Sequence, residues 1–175
     1  MSIRRVASLL CPHCSRLNPS AVLATPTGMR RLRPHLYFGP SVHPIDLPRL
    51  RRVGITAVMS LQQPGVDLPP AAIERMRAAC ERRHIRFHNI GIHDYDPDAV
   101  IAALPDCLDR LGGLVREGYV VYVHCTEGIN RAPSISLAYL VRHESLDVDA
   151  ALAELRRSDH GVRPYAAVIE WLRGS

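Results

Sequence analysis

The amino-acid sequence predicts an α/β domain built around a mostly parallel central sheet flanked by helices. Short runs rich in valine, isoleucine and aromatic residues alternate along the chain with longer segments in which apolar residues recur at helical spacing. Strands that alternate with helices favour a largely parallel sheet. The 175 residues are enough for one such domain with a core of its own.

Turn residues delimit each expected element. Strands are expected at 35–38, 56–61, 86–92 and 120–123. Helices are expected at 47–52, 70–84, 97–117, 132–144, 148–157 and 163–173, with Gly118 ending the third of them. Residues 1–33 mix proline, serine, threonine and arginine without clear periodicity, so we interpret them as a flexible or loosely docked N-terminal tail ahead of a domain at 34–175.

Composition excludes several classes of protein. A hydrophobic content of 47% with 22% charged residues is ordinary for a globular domain, and no apolar run approaches the roughly 20 residues of a membrane helix. The opening MSIRRVASLL lacks a signal-peptide cleavage site. Five cysteines, an odd number, favour a reducing compartment, and we expect a cytoplasmic protein: Cys11, Cys14, Cys80, Cys107 and Cys125.

Charge is distributed unevenly along the chain. Residues 1–87 contain 14 arginines and 4 acidic residues, whereas residues 88–175 contain 8 arginines and 13 acidic residues. The basic half could face an anionic partner. All 22 basic residues are arginine and none is lysine, which a GC-rich genome explains as well as a binding function does. Charge alone therefore gives little reason to expect a nucleic-acid partner.

A strand–loop–helix motif is predicted at 124–134, HCTEGINRAPS, between the strand at 120–123 and the helix at 132–144. Such a loop points backbone N–H groups and the positive end of the helix into one concavity, which suits an anion. Gly128 allows the backbone to close around the anion. Pro133 fits the first turn of a helix, where its missing N–H costs nothing.

The same loop contains a candidate nucleophile. Cys125 at its rim would have its thiolate favoured by these dipoles, and Arg131 could hold a phosphate through two parallel hydrogen bonds. The alternative for Cys125 is a buried, inert thiol, the usual state of a free cysteine. His124 is expected to support the loop by bonding inward.

His124, Cys125 and Arg131 fit HCxxxxxR, which resembles the signature loop of the cysteine-dependent protein tyrosine phosphatases. The whole loop is similar to those of the dual-specificity branch, and LYFGPS and GITAVMSLQQ resemble the first two strands of its fold. The LQQ and RAP details are particularly similar to the plant glucan phosphatases. The resemblance implies a dual-specificity-phosphatase-like catalytic domain at 34–175 that acts through phosphocysteine, without cofactor or metal. It also implies a phosphate-binding loop made of Thr126, Glu127, Gly128, Ile129 and Asn130.

Hydrolysis of a phosphate monoester also needs a proton donor for the leaving oxygen. The segment GIHDYDPDAV offers Asp94, Asp96 and Asp98. Asp96 precedes Pro97 and a helical run, which is typical of a helix N-cap, so Asp94 remains as the expected general acid, with Asp96 as the alternative. Asp94 also matches the first residue of an Asp-aromatic-Asp pattern in the glucan phosphatases. Tyr95 could line the cleft or serve packing alone.

Four positions depart from or qualify the resemblance. Ala132 stands where the family commonly has a hydroxyl residue that assists the thiolate as leaving group, although the glucan phosphatases share this alanine. Ser134 is the nearest hydroxyl beyond it. Asn130 resembles the RNA 5′-triphosphatase branch, which usually lacks an acid such as Asp94. Thr126 and Ile129 occupy positions where phosphoinositide phosphatases are basic, which argues against inositol lipids.

The leading hypothesis is a phosphatase acting on phosphotyrosine, phosphoserine or phosphothreonine proteins or on a related phosphoester. The alternatives are an RNA or nucleotide 5′-triphosphatase, a phosphoglucan phosphatase, and a phosphate-binding pseudophosphatase. The expected partner is a phosphorylated protein or other phosphoester substrate. Membrane and nucleic acid are not expected as partners, and the sequence does not indicate an oligomeric state.

A separate motif, CPHC, lies in the predicted tail. Cys11 and Cys14 resemble a redox pair, but a thioredoxin-like site needs its own strand and helix, which this stretch lacks. A metal clip with His13 is the better alternative, and an inert tail is the simplest.

Overall fold

A computed structural model describes residues 28–174 and contains one five-stranded sheet in the order β1-β2-β5-β3-β4. The strands are β1 Arg30–Arg33, β2 Leu36–Gly39, β3 Ala57–Ser60, β4 Arg86–Asn89 and β5 Val121–His124. Strands β2 to β5 are parallel to their neighbours and β1 is antiparallel to β2. The prediction of a mostly parallel central sheet is confirmed.

In the described part of the chain, six helices flank the sheet close to their expected positions. They are α1 Leu47–Val53, α2 Pro70–Glu81, α3 Pro97–Arg116, α4 Arg131–His143, α5 Val148–Ser158 and α6 Ala166–Arg173. Helices α1 and α2 cover one face of the sheet, and α3 to α6 cover the other. None of the helices in the described part of the chain has the length and apolar character required to cross a membrane.

Both faces of the sheet are buried, and side chains alternate between the two cores. In β5, Val121 and Val123 pack against α3 to α6, whereas Tyr122 packs against α1 and α2. All three are fully buried. This explains why β5 reads as a continuous apolar run rather than an alternating one.

Strand β1 lies inside the segment that the sequence assigned to the tail. Arg30–Arg33 pairs with β2 at the edge of the sheet, so the ordered structure reaches further toward the N-terminus than Pro34. Its sequence, RRLR, lacks the apolar alternation of a strand, because charged residues suit an exposed edge. Residues 1–27, with Cys11 and Cys14, lie outside the described residues, and the tail remains a prediction there.

Other element boundaries differ from expectation by one to three residues, and two of the larger differences have a visible cause. Helix α6 begins at Ala166 rather than at residue 163, because Pro164 disfavours helical geometry in the residue before it. Strand β4 ends at Asn89 rather than at residue 92. A Cβ on Gly91 would lie 2.6 Å from the side chain of Gln63, which shows how closely the β3–α2 loop crosses the chain there.

The uneven charge of the sequence is partly neutralised in the fold. Arg30 pairs with Asp159, and Arg33 pairs with Glu144 and Glu154, so arginines of the basic half meet carboxylates of the acidic half. These pairs attach the edge strand β1 to helix α5 and its flanks.

Candidate active site

The loop after β5 lies at the carboxyl edge of the sheet, held between two neighbouring segments. Cys125 directly follows β5, and residues 126–130 connect it to α4. The Thr126 carbonyl accepts a hydrogen bond from the Ser41 N–H at 3.0 Å, and the Ile129 carbonyl accepts one from the Arg163 N–H at 2.7 Å. The carbonyls of Thr126 and Ile129 are thus bonded to groups outside the loop.

Several N–H groups of the loop remain available. Those of Glu127, Ile129 and Asn130 donate to no acceptor within residues 28–174. The Gly128 N–H points at the Cys125 sulfur at 3.2 Å. Asn130 does not cap α4 with its side chain, which donates instead to the Arg163 carbonyl at 2.9 Å. Free amides and an uncapped helix N-terminus converge at this loop, which is the arrangement that binds anions.

Gly128 is required by the loop geometry. Its φ of 74° lies in the left-handed region, and a Cβ there would lie 2.3 Å from the Gly39 carbonyl carbon. The end of β2 therefore packs directly against the loop backbone, and only glycine leaves room for that contact.

Arg131 is completely buried and belongs to a dense network. Its guanidinium donates to both carboxylate oxygens of Asp67, at 2.7 and 3.0 Å, and to Asp94 at 2.7 Å. It also donates to the carbonyl of Ile92 at 2.8 Å and to the hydroxyl of Thr126 at 3.2 Å. Its Nε is buried and finds no partner within the described residues. One donor of the guanidinium therefore remains for a ligand.

The two candidate acids occupy different positions. Asp96 caps α3, its carboxylate accepting from the Ala99 N–H at 3.0 Å, as the capping argument predicted. Asp94 lies against Arg131 and also accepts from the Tyr165 hydroxyl at 3.1 Å. Tyr95 between them has a φ of 59° and is 81% exposed, so it does not serve packing. The structure brings Asp94, but not Asp96, to the loop.

Comparison with known proteins agrees with this geometry. The profile of the dual specificity phosphatase catalytic domain matches residues 36–174. The chain belongs to this family. An amyloplastic phosphoglucan phosphatase from Castanea sativa is 33% identical over 117 residues, which cover 62% of this chain and 30% of that protein. Dual specificity protein phosphatase 12 from Mus musculus is 29% identical over 158 residues, covering 90% and 43%.

The fold is also shared with solved structures. The crystal structure of Tk-PTP in the active form superimposes with a TM-score of 0.70 at 23% identity, covering 84% of this chain and 95% of that one. The chain spans less than half the length of the phosphoglucan phosphatase and of the dual specificity protein phosphatase 12 named above.

The sequence analysis did not predict two residues that the site of this dual specificity phosphatase domain contains. Asp67, in the β3–α2 loop, binds Arg131 and accepts from the Thr126 hydroxyl at 2.9 Å. Tyr165, the residue before α6, donates to Asp94 and accepts from the Tyr95 N–H. Asp67 follows a parallel strand, as Asp94 does, so the shared edge of the sheet was a usable signal for it. Tyr165 had no such signal.

The charges of these two residues are well defined. Burial acts to raise the pKa of Asp67, but hydrogen bonds from Arg131, the Gln63 N–H and Thr126 outweigh it, so the pKa lies below its ordinary value. Burial raises the pKa of Tyr165 to about 12. Asp67 is therefore a carboxylate and Tyr165 a neutral hydroxyl at pH 7.

Ser134, one of the predicted supporting residues, contacts Tyr165 rather than Cys125. Its hydroxyl accepts from the Tyr165 N–H at 2.9 Å, and it forms no hydrogen bond with Cys125 in the described structure.

Within residues 28–174, no group of three or more histidine, cysteine or acidic side chains is placed to hold a metal ion.

His124 supports the loop from inside the domain. Its Nδ1 contacts the Cys125 carbonyl at 3.2 Å, which means that Nδ1 carries the proton, and its ring stacks on Tyr122. Burial lowers the pKa of His124 to about 4, an effect that the bond to the carbonyl opposes and Arg131 reinforces. The imidazole is neutral in the folded domain.

This burial predicts a specific acid sensitivity. The unfolded chain binds a proton at His124 below about pH 6.5, whereas the folded domain does so only near pH 4, so stability falls as pH falls through this window. We expect about 3 kcal/mol of the free energy of unfolding to be lost in this way. Urea unfolding at pH 7 and pH 4.5 measures it. In His124→Asn, which retains a donor near Nδ1, the loss should be correspondingly smaller, and an equal loss would contradict the assignment.

Proposed function

We propose that this domain hydrolyses phosphate monoesters through a phosphocysteine intermediate on Cys125. The observation that carries the proposal is the combination, in one loop, of a cysteine sulfur contacted by the Gly128 N–H, unpaired loop amides and the buried Arg131. These groups match the charge of a phosphoryl group bound in line with a thiolate nucleophile.

In the first step, the Cys125 sulfur forms a bond to phosphorus while the bond from phosphorus to the ester oxygen breaks. Asp94 donates its proton to the departing oxygen, which would otherwise leave as a poor alkoxide. The loop amides and the free Nε of Arg131 stabilise the equatorial phosphoryl oxygens.

In the second step, water attacks phosphorus and the S–P bond breaks, which releases inorganic phosphate and the Cys125 thiolate. Asp94, now a carboxylate, takes the proton of the attacking water. The Tyr165 hydroxyl, hydrogen-bonded to Asp94, holds this carboxyl group in place through both steps.

Phosphotyrosine, phosphoserine and phosphothreonine proteins are the first substrate class to test, because the family is defined by dual specificity. A phosphoglucan is the second, supported by the Castanea sativa relative. The triphosphatase alternative was based mainly on Asn130. The side chain of Asn130 donates a hydrogen bond to the Arg163 carbonyl, so it is not available to contact a phosphate chain, and we rank this alternative lower. A cytoplasmic location fits the free thiols of Cys80 and Cys107.

The deciding experiment measures phosphate release in the presence of EDTA. The substrates are phosphotyrosine and phosphothreonine peptides, phosphoglucan, p-nitrophenyl phosphate and 5′-triphosphorylated RNA. EDTA-resistant release from a monoester supports the proposal and identifies the substrate class. Release from triphosphorylated RNA alone would favour the triphosphatase, and tight binding without release would indicate a pseudophosphatase.

The Asp94→Asn variant tests the general acid. We expect kcat for a phosphoserine peptide to fall by about 10²–10⁴-fold, the range that general acid catalysis contributes. The loss should be much smaller for p-nitrophenyl phosphate, whose leaving group needs no proton. A steady-state comparison of the two substrates measures this difference.

Asp96→Asn is the matched control. Asparagine caps a helix about as well as aspartate, so the α3 N-terminus should persist and activity on both substrates should stay within about twofold. If instead Asp96→Asn shows the leaving-group-dependent loss and Asp94→Asn does not, the roles of the two residues are reversed.

A further inference from the structure

A second cavity adjoins the loop, on the face of the sheet covered by α1 and α2. We call it the α2 pocket. It measures about 420 Å³ and lies between the β2–α1 loop, the β3–α2 loop and the first two turns of α2. This volume falls within the roughly 300–1,000 Å³ of small-molecule sites. The catalytic steps proposed above do not use its apolar wall.

The α2 pocket begins where the phosphate site ends. Thr126 and His124 line it on the side of the loop. Asp67 also lines it and at the same time binds Arg131, so this one carboxylate forms the wall between the two sites. The pocket and the phosphate loop therefore meet at Thr126 and Asp67, which are hydrogen-bonded to each other.

Away from the loop, the pocket is largely apolar. Arg75 is the one charged residue that α2 contributes to its wall, and the apolar residues there are Leu68, Pro69, Ala72, Ile73, Met76 and Phe87. Two of the three large hydrophobic residues that the described chain exposes are next in sequence to residues that line the pocket: Ile45, 85% exposed, follows Pro44, and Val66, 58% exposed, precedes Asp67. Both loops that line the pocket thus carry an exposed apolar residue, and exposed apolar surface of this kind often marks a binding site.

We propose that the α2 pocket binds the alkyl chain of an amphiphilic phosphate monoester whose phosphate lies in the loop at Cys125. This inference rests on the proposed phosphatase function and specifies its substrate. The chain would lie along the apolar wall formed by α2, with Ile45 and Val66 covering the part that extends beyond the pocket.

An alkyl chain fits this lining better than a sugar or a peptide. A glucan needs hydrogen-bond partners along its length, whereas α2 contributes three apolar side chains to the wall and a single charged one, Arg75. A peptide backbone presents an N–H and a carbonyl at every residue. Pro44 and Pro69, which line the pocket, have no N–H to offer to its carbonyls.

A series of straight-chain alkyl phosphates, from butyl to dodecyl, tests the proposal with the wild-type domain. Every member leaves as a primary alcohol, so the chemistry is constant and only the binding of the chain changes. Measured below the micelle concentration, kcat/KM should rise by up to about fourfold per methylene, equivalent to about 0.8 kcal/mol, until the pocket is filled. Hydrolysis of p-nitrophenyl phosphate in parallel reports the catalytic function itself.

Filling the pocket should remove the dependence on chain length. Ala72→Phe places a large side chain in the lining, whereas Ala71→Phe makes the same change one residue earlier, at an exposed position that does not line the pocket. Both variants should hydrolyse p-nitrophenyl phosphate like the wild type. Only Ala72→Phe should make kcat/KM the same for all chain lengths.

The outcomes separate the two proposals. Absence of p-nitrophenyl phosphate hydrolysis overturns the phosphatase function and this inference with it. Normal hydrolysis with a flat alkyl series in the wild type overturns only the alkyl site, whether or not the variants fold. The alkyl site is also overturned if Ala72→Phe lowers kcat/KM for a phosphopeptide with an apolar residue next to the phosphorylated one, while the dependence of kcat/KM on alkyl chain length stays as in the wild type.

Discussion

Phosphate release by the Cys125→Ser variant is expected to fall by at least about 10⁴-fold for every monoester, the scale on which removal of a nucleophile acts. In the proposed mechanism the Cys125 thiolate is the attacking species, whereas a serine hydroxyl in its place stays neutral and is a far weaker nucleophile. The substitution is nearly isosteric at a position that is 3% exposed, and the Gly128 N–H can donate to the new oxygen. The loop should therefore persist.

Two measurements make this result specific to the chemistry. Binding of inorganic phosphate to Cys125→Ser, followed by calorimetry, should be retained, because the loop amides and Arg131 are unchanged. Cys107→Ser is the matched control: this buried thiol on α3 has its pKa raised to about 12 by burial and is no nucleophile. Comparable loss of activity in both variants would assign the effect to the core rather than to catalysis.

The part of the site that the sequence predicted is contiguous along the chain. Strand β5, the loop and the start of α4 occupy one short stretch, so the spacing of Cys125, Gly128 and Arg131 carries their geometry directly. The sequence also distinguished the positions of Asp94 and Asp96, because helix capping is a local rule. The structure places Asp96 at the N-cap of α3, as that rule requires, and Asp94 against Arg131.

What the sequence did not reveal depends on contacts between distant segments. Asp67 reaches Arg131 only because β3 and β5 are neighbours in the sheet. Tyr165 reaches Asp94 across 71 residues of chain. Strand β1 forms because β2 offers it an edge, and nothing in RRLR itself indicates a strand. Local patterns specify elements and caps, whereas pairing across the carboxyl edge requires the assembled sheet.

Arg131 belongs to the proposed phosphate site and also neutralises partly buried carboxylates of the fold. It is among the largest fully buried side chains in the described chain, and it forms ion pairs with Asp67 and Asp94. The Asp67 carboxylate is only 8% exposed. With a pKa below its ordinary value, this pair contributes stability above about pH 4 and loses it as the carboxylate is protonated in stronger acid. At pH 7 the two residues are charged and interdependent.

Arg131→Met should therefore lose both activity and stability at pH 7. We expect kcat/KM to fall by about 10³–10⁵-fold, the effect of removing an arginine that stabilises a transferring phosphoryl group. The free energy of unfolding should fall by about 3–5 kcal/mol, because Asp67 is left buried without its cation. Urea denaturation and phosphate release from p-nitrophenyl phosphate measure the two losses on the same preparation.

Adding Asp67→Asn to Arg131→Met separates the two effects. The double variant no longer buries an unpaired charge, so it should recover about 1–3 kcal/mol of stability relative to Arg131→Met, the usual size of coupling between contacting residues. Its activity should stay as low as that of Arg131→Met, since the phosphate still lacks its arginine. A double variant as unstable as Arg131→Met would show that the loss does not arise from Asp67. Recovered activity would show that Arg131 serves the fold and not the phosphate.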